Sequence, residues 1–192
     1  MRVLPTALEG VVLIEPDVHR DGRGLFLETY RADRYRELGI ADVFVQDNFS
    51  RSVARTLRGL HAQRTKPQAK LVRVVRGEIY DVVVDIRRGS PTYRRWAAFR
   101  LSESNFLQCY VPVGFAHGFC VLSDVADVEY KCTDFYDPGD ELRIRWDDPE
   151  LGIGWPVDSP ILSPKDAAAP PLREVEPWLP SWPGPGAELK PR

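Results

Sequence analysis

Cysteine is scarce in this 192-residue sequence, with three residues only, Cys109, Cys120 and Cys132. Their odd number and wide spacing exclude a disulfide framework and a Cys-x-x-Cys metal or redox pair, so all three read as buried thiols. An excess of either charge is lacking too. Lys and Arg number 26 against 28 Asp and Glu, which offers no global attraction to nucleic acid or to an anionic membrane. Any basic site must therefore be local. No apolar run is long enough to cross a bilayer, and the stretch from Met1 to Leu13 is broken by Pro5 and Glu9. It does not read as a signal peptide, and the expected location is the cytoplasm. Gly-rich phosphate loops and internal repeats are absent, and helical periodicity is confined to Arg31 to Leu38, closed by Gly39.

What is abundant is the punctuation of an all-β domain. Seventeen prolines and fourteen glycines separate short runs of Val, Ile, Phe and Tyr, and the length suits one domain, with a core over about residues 8 to 168. Strands are expected at Val11 to Ile14, Leu25 to Thr29, Val43 to Phe49, Thr56 to Gln63, Lys70 to Val75 and Ile79 to Ile86. Further strands follow at Trp96 to Leu101, Leu107 to Val111, Gly118 to Leu122, Val125 to Cys132 and Leu142 to Trp146. Gly77, between two of these runs, supplies the positive φ of a tight hairpin. From Pro170 onward the chain is proline-dense and is expected to run extended, with Trp178 and Trp182 packing part of it on the barrel or on a neighbouring subunit.

Two stretches carry chemistry. Leu57-Arg58-Gly59-Leu60-His61-Ala62-Gln63 puts His61 and Gln63 on one strand face, since side chains alternate, and Pro112-Val113-Gly114-Phe115-Ala116-His117 follows downstream. Together they resemble the two motifs of the cupin superfamily, which implies a jelly-roll β-barrel. The metal ligands are incomplete, because Gln63 stands for the second histidine and the nearby downstream charge is the cation Lys70. An amide and an ammonium are poor ligands, so no metal is expected, and an isolated imidazole remains for proton transfer.

A closer resemblance is carried by Asp21 to Glu28, Gln46-Asp47-Asn48, Leu57 to Gln63, Lys70 to Arg73, Val82 to Arg87 with Ser90-Pro91-Thr92, Pro112 to Phe119, Tyr130 to Thr133, and Leu162 to Ala167. In this order they resemble the dTDP-4-dehydrorhamnose 3,5-epimerase family. The resemblance implies a cofactor-independent homodimer that inverts C3 and C5 of a dTDP-4-keto-6-deoxy sugar. It implies His61 as base with Asp166 as its paired carboxylate, Tyr130 as acid on the opposite face, and Lys70 near the keto oxygen. Arg23, Glu28, Gln46, Asn48, Arg58, His117, Tyr136, Glu141 and Lys165 match positions that line the nucleotide-sugar site. Phe26 is a candidate stacking surface for thymine. Beside Glu141, the run Leu142-Arg143-Ile144 departs from the family's usual small residue.

The chemistry explains the residue types. A hydrogen beside a ketone is acidic because its removal puts charge on the carbonyl oxygen, which a cationic donor such as Lys70 stabilises in a water-poor site. Inversion needs a base and a proton donor on opposite faces. Imidazole, with a reference pKa of about 6.5, serves as base near neutrality, with a carboxylate fixing its tautomer. Tyr130 shares its strand face with Val128 and Cys132, and Lys70 with Val72 and Val74, so both should point inward. Arg58 and His61 fall on opposite faces of an ideal strand unless a bulge or a strand end intervenes at Gly59. Fork-shaped Arg23 and Arg58 suit two phosphates. Alternatives are a mono-epimerase acting at C3 or C5 alone, a metal-dependent cupin oxygenase, and a sugar-binding cupin without catalysis. Taken singly, each residue also has a structural reading: a satisfied core histidine or tyrosine, a capping aspartate, a solvated surface cation.

Overall fold

The computed structural model describes residues 1–184, and residues 185–192 of the Pro-rich tail lie outside the described residues. The strands are β1 (Arg2–Leu4), β2 (Val12–Glu15), β3 (Val18–Asp21), β4 (Gly24–Leu27), β5 (Gln46–Val53), β6 (Leu57–Gln63), β7 (Lys70–Arg76), β8 (Glu78–Asp85), β9 (Trp96–Ser102), β10 (Gln108–Val111), β11 (Phe115–Val121), β12 (Val125–Cys132) and β13 (Glu141–Arg143). Three short helices accompany them, α1 (Ala32–Glu37), α2 (Pro164–Ala167) and α3 (Leu172–Val175). One sheet has the order β1-β2-β10-β7-β12-β5, the other β13-β6-β11-β8-β9, and β3 and β4 form a separate hairpin. All the strand pairs are antiparallel. The two sheets pack face to face as a cupin-type jelly-roll barrel.

Alternation decides what fills the space between the sheets. Val72 and Val74 of β7 and Ala126 and Val128 of β12 meet Ile79 and Val83 of β8 and Phe115, Phe119 and Val121 of β11 in one core cluster. The intervening residues of β8, Val82 and Val84, face the other way and join Leu60, Leu142 and Ile144 against Leu172, Val175 and Leu179. With both faces covered, the Val82–Val84 stretch of β8 is apolar on successive residues rather than alternating. A third cluster, around Tyr35, Ile14 and Ile40, seats α1 on the outside of the first sheet.

The expected tail needs one correction. The chain after Pro170 does not simply run extended: Leu172–Val175 is helical, Glu176–Trp178 makes a 3-10 turn, and Ser181 then bridges Arg88 in parallel register. Prolines at the first positions of such turns remove no needed hydrogen bond. The segment is anchored by Leu172, Val175 and Leu179 rather than by Trp178, which is half exposed. Strands β1 and β3 were not among the expected ones. Asp85, fully buried, accepts Arg87 Nη2 at 2.7 Å, Ser90 Oγ at 2.6 Å and Thr92 Oγ1 at 2.6 Å, so the Ser90-Pro91-Thr92 motif closes a turn rather than a site.

Gly77 sits at φ +78°, but the hairpin expected there does not form: β7 and β8 belong to different sheets, and the tight turn carries the chain from one sheet to the other. Gly59 has the stronger consequence. Arg58 pairs with Phe119 and His61 with His117, so three steps on β6 match two on β11. That extra residue is the bulge that turns Arg58 and His61 toward the same cavity. Gly59 is at φ +136°, and a Cβ there would lie 2.5 Å from the Gly118 Cα. A Cβ on Gly118 would in turn meet the Arg58 carbonyl oxygen at 2.8 Å and the Gly59 Cα at 3.0 Å. Gly118→Ala should therefore lower the unfolding free energy by about 1–3 kcal/mol, read from urea denaturation. An unchanged midpoint would contradict the close approach.

Candidate active site

The barrel opens at one end into a cavity of about 530 Å³ lined from both sheets. From β5, β7 and β12 come Gln46, Asn48, Lys70, Tyr130 and Cys132, and from β6, β11 and β13 come Arg58, His61, His117, Glu141 and Arg143. Lys165 and Asp166 of α2 and Tyr136 of the loop after β12 complete the wall. Eleven of the residues expected at the site thus converge on one space: His61, Tyr130, Asp166, Lys70, Gln46, Asn48, Arg58, His117, Tyr136, Glu141 and Lys165.

His61 Nε2 lies 2.6 Å from Asp166 Oδ1, across 105 residues of chain. Ser163 caps α2 by accepting the Asp166 N–H at 3.1 Å, and its hydroxyl donates to Asp166 Oδ2 at 2.9 Å. This cap turns the buried carboxylate toward the imidazole. Burial pushes the Asp166 carboxyl up, but the hydrogen bond and charge of His61, the Ser163 hydroxyl and the field of Arg143 outweigh it and hold it below the usual carboxylate range. An ionised Asp166 can only accept, so Nε2 donates to it and Nδ1 is left as the basic nitrogen.

Tyr130 faces His61 from the other sheet. Burial first, then the neighbouring Cys132, raise its phenol above the ordinary tyrosine value, so it stays protonated near neutrality. Lys70 pairs with Cys132 in the strand register and lines the cavity. Burial lowers the pKa of its ammonium, against the opposing pull of Cys132, Glu141 and Asp81. Gln46 and Asn48 are tied along this wall: Gln46 Nε2 donates to Asn48 Oδ1 at 2.9 Å, and Asn48 Nδ2 reaches Cys132 Sγ at 3.5 Å. Gln46 Oε1 also accepts the Tyr136 N–H at 2.9 Å, which fixes the Tyr136 loop.

His117, opposite His61 in the register, is held by buried Asp81 at 2.7 Å. Arg58 Nε donates to Ser52 Oγ at 3.0 Å. Gln63, where a metal cupin has a histidine, ties loops instead: its amide donates to the Lys66 carbonyl at 2.9 Å and its oxygen accepts the Asp137 N–H at 2.8 Å. Among the described residues no three His, Cys, Asp or Glu side chains come together as a metal-ligating group. Arg143 and Ser163 were missed by sequence reasoning. Strand alternation from Glu141 would have found the first, and the Ser-x-x-Asp cap pattern the second.

Three expected residues lie outside the cavity. Arg23 is almost fully exposed on the β3–β4 hairpin and pairs with Asp21 at 2.6 Å. Phe26 is 70% exposed on the same hairpin. Glu28 accepts from Arg34 Nη1 at 2.9 Å. None of the three lines the cavity, because the hairpin is paired to neither barrel sheet.

The comparisons with known proteins agree with this geometry. A family model described as dTDP-4-dehydrorhamnose 3,5-epimerase matches residues 5–174. The chain is 52% identical over 176 residues to the dTDP-4-dehydrorhamnose 3,5-epimerase of Methanothermobacter thermautotrophicus, covering 90% of this chain and 95% of that one. It is 44% identical over 177 residues to a dTDP-4-dehydrorhamnose 3-epimerase of Streptomyces niveus, covering 91% of this chain and 86% of that one. Among solved structures, it resembles the dTDP-6-deoxy-D-glucose-3,5-epimerase of Legionella pneumophila in complex with dTDP-4-keto-L-rhamnose, with a TM-score of 0.93, 49% identity, and coverage of 95% of this chain and 99% of that one. This chain therefore belongs to the dTDP-4-dehydrorhamnose 3,5-epimerase family.

Proposed function

We propose that the protein inverts C3 and C5 of dTDP-4-dehydro-6-deoxy-D-glucose, giving dTDP-4-dehydro-L-rhamnose, with no cofactor and no metal. The observation that carries this reading is the placement of His61 and Tyr130 on opposite sheets of one cavity, with Lys70 on the strand beside that of Tyr130. In a chair derived from D-glucose the hydrogens on C3 and C5 are both axial on the same face, so one base reaches both. His61 Nδ1 takes the proton, and Asp166 stabilises the imidazolium that forms. Charge moves to the C4 oxygen as an enolate, where the Lys70 ammonium, fixed in a largely desolvated place, gains most of its interaction in the transition state. Tyr130 then delivers a proton to the opposite face; once His61 has released its proton to solvent and the Tyr130 phenolate has taken one up, the second carbon repeats the sequence.

Around the sugar, Gln46, Asn48, Arg58, His117, Tyr136, Glu141 and Lys165 are assigned to substrate binding. Arg23, Phe26 and Glu28 fit the same role only if the hairpin enters the cavity of a partner copy, which the expected homodimer provides. Supporting this, the outward face of β5 and β7 exposes Phe49, Val53 and Val75, apolar surface suited to cover by a second subunit. Three unpaired, buried cysteines fit a reducing compartment such as the cytoplasm. No described helix is long and apolar enough to cross a membrane.

Purified protein incubated with the 4-keto-6-deoxyglucose nucleotide should yield a product inverted at both carbons by NMR. Inversion at one carbon only would replace this reading with the mono-epimerase one, and no inversion would reject both. His61→Asn should lower kcat by about two to four orders of magnitude, and Lys70→Met by about two to three, in steady-state assays. A Lys70→Met enzyme with wild-type kcat would remove the enolate role. Arg23→Ala should raise KM with kcat little changed while the protein elutes as a dimer in size-exclusion chromatography. An unchanged KM would detach the hairpin from the site.

A further inference from the structure

Arg143 has no role in the proton transfers above, yet its side chain faces the cavity beside the base. Strand β13 pairs with β6 so that Arg143 stands opposite His61 and Glu141 opposite Gln63. Alternation then puts Glu141 and Arg143 on the cavity side, while Leu142, 5% exposed, turns into the outer core.

The guanidinium is held in place. Arg143 Nη2 donates to Glu141 Oε2, and that carboxylate keeps the fork on the cavity wall. Its fork also hydrogen-bonds the Tyr136 side chain, and of its five N–H donors none is buried without a partner. The residue lines the cavity. Its charge is felt by Asp166 on one side and by Tyr136 on the other.

A second cavity of about 480 Å³ adjoins the first and shares Glu141, Arg143 and Lys165 with it. Arg64 lies on its far side, beneath which Trp178 presents its ring at 5.1 Å. Three cations therefore line the second cavity with one carboxylate, and that carboxylate is already paired with Arg143. Such an edge suits a multiply charged anion with oxygens in a plane that a fork can bridge. Lys70, by contrast, lines the first cavity and not the second and is assigned to the keto oxygen. The anionic part of a nucleotide sugar must lie away from it.

Resting on the proposed function, we propose that Arg143, held in place by Glu141, is a specificity-determining contact of this chain for the diphosphate of its nucleotide-sugar substrate. It binds without taking part in proton transfer, so its loss should appear in affinity rather than in turnover.

The test is calorimetric titration of the wild type, Arg143→Ala and Arg143→Lys with dTDP and with thymidine, alongside steady-state kinetics. Arg143→Ala should bind dTDP about tenfold or more weakly, as expected for one lost charge-assisted contact, with thymidine binding unchanged. KM should rise with kcat within about threefold, and Arg143→Lys should recover part of the affinity. Three results would overturn the proposal: dTDP affinity within about twofold of wild type, an equal loss for thymidine and dTDP, or a fall in kcat with KM unchanged. Wild-type protein that binds dTDP without epimerising would remove the catalytic reading and leave the Arg143 comparison intact. Failure of the wild type to bind dTDP would overturn both.

Discussion

The contact between His61 and Asp166, 2.6 Å across 105 residues of chain, is the interaction on which the rest of the site depends. It couples a barrel strand to a one-turn helix added after the barrel is complete, so the base acquires its orientation only when the whole fold has closed. Everything that positions the two partners serves this contact. The bulge at Gly59 sets the His61 direction, the close approach of Gly59 to Gly118 makes room for that bulge, and the Ser163 cap aims the carboxylate. The other half of the reaction comes from the facing sheet, and the separation of two sheets by a cavity is what gives a planar enolate two distinct faces.

The electrostatics of the cavity follow from the same division. Lys70 is a cation with little water around it, and the groups that oppose its loss of charge are Cys132, Glu141 and Asp81. Asp81 also holds His117, so one fully buried carboxylate balances two groups of the cavity floor. Arg58, Arg143 and Lys165 line the same cavity. In the proposed reading these cations take the diphosphate of the substrate, and the Lys70 ammonium meets charge only as it develops on the ketone.

Much of this was legible in the residues because strand alternation is a short-range rule. Lys70 with Val72 and Val74, and Tyr130 with Val128 and Cys132, face inward as the spacing implies, and the misfit between Arg58 and His61 located the bulge before any coordinates did. Elements set by long-range packing were less legible. Pro170 and Pro171 suggest an extended tail, but Leu172, Val175 and Leu179 find the uncovered outer face of the second sheet and turn helical against it. β3 carries His19, Arg20 and Asp21 and has no apolar pattern because its hairpin packs on neither barrel sheet. Arg23, Phe26 and Glu28 matched by motif, and motif says nothing about which subunit's cavity a side chain reaches. Arg143 escaped notice because a lone arginine on a short strand reads as a solvated surface charge.

Isotope exchange in the Tyr130→Phe protein tests the central claim, two groups on opposite faces of the sugar, most directly. With His61 intact, incubation with the keto-sugar nucleotide in D2O should introduce deuterium at C3 and C5 while the starting configuration is retained, since the base alone takes and returns the proton. The double change His61→Asn with Tyr130→Phe should introduce none. Inversion at the wild-type rate in Tyr130→Phe, or complete loss of exchange with His61 still present, would contradict the assignment of base and acid to the two sheets.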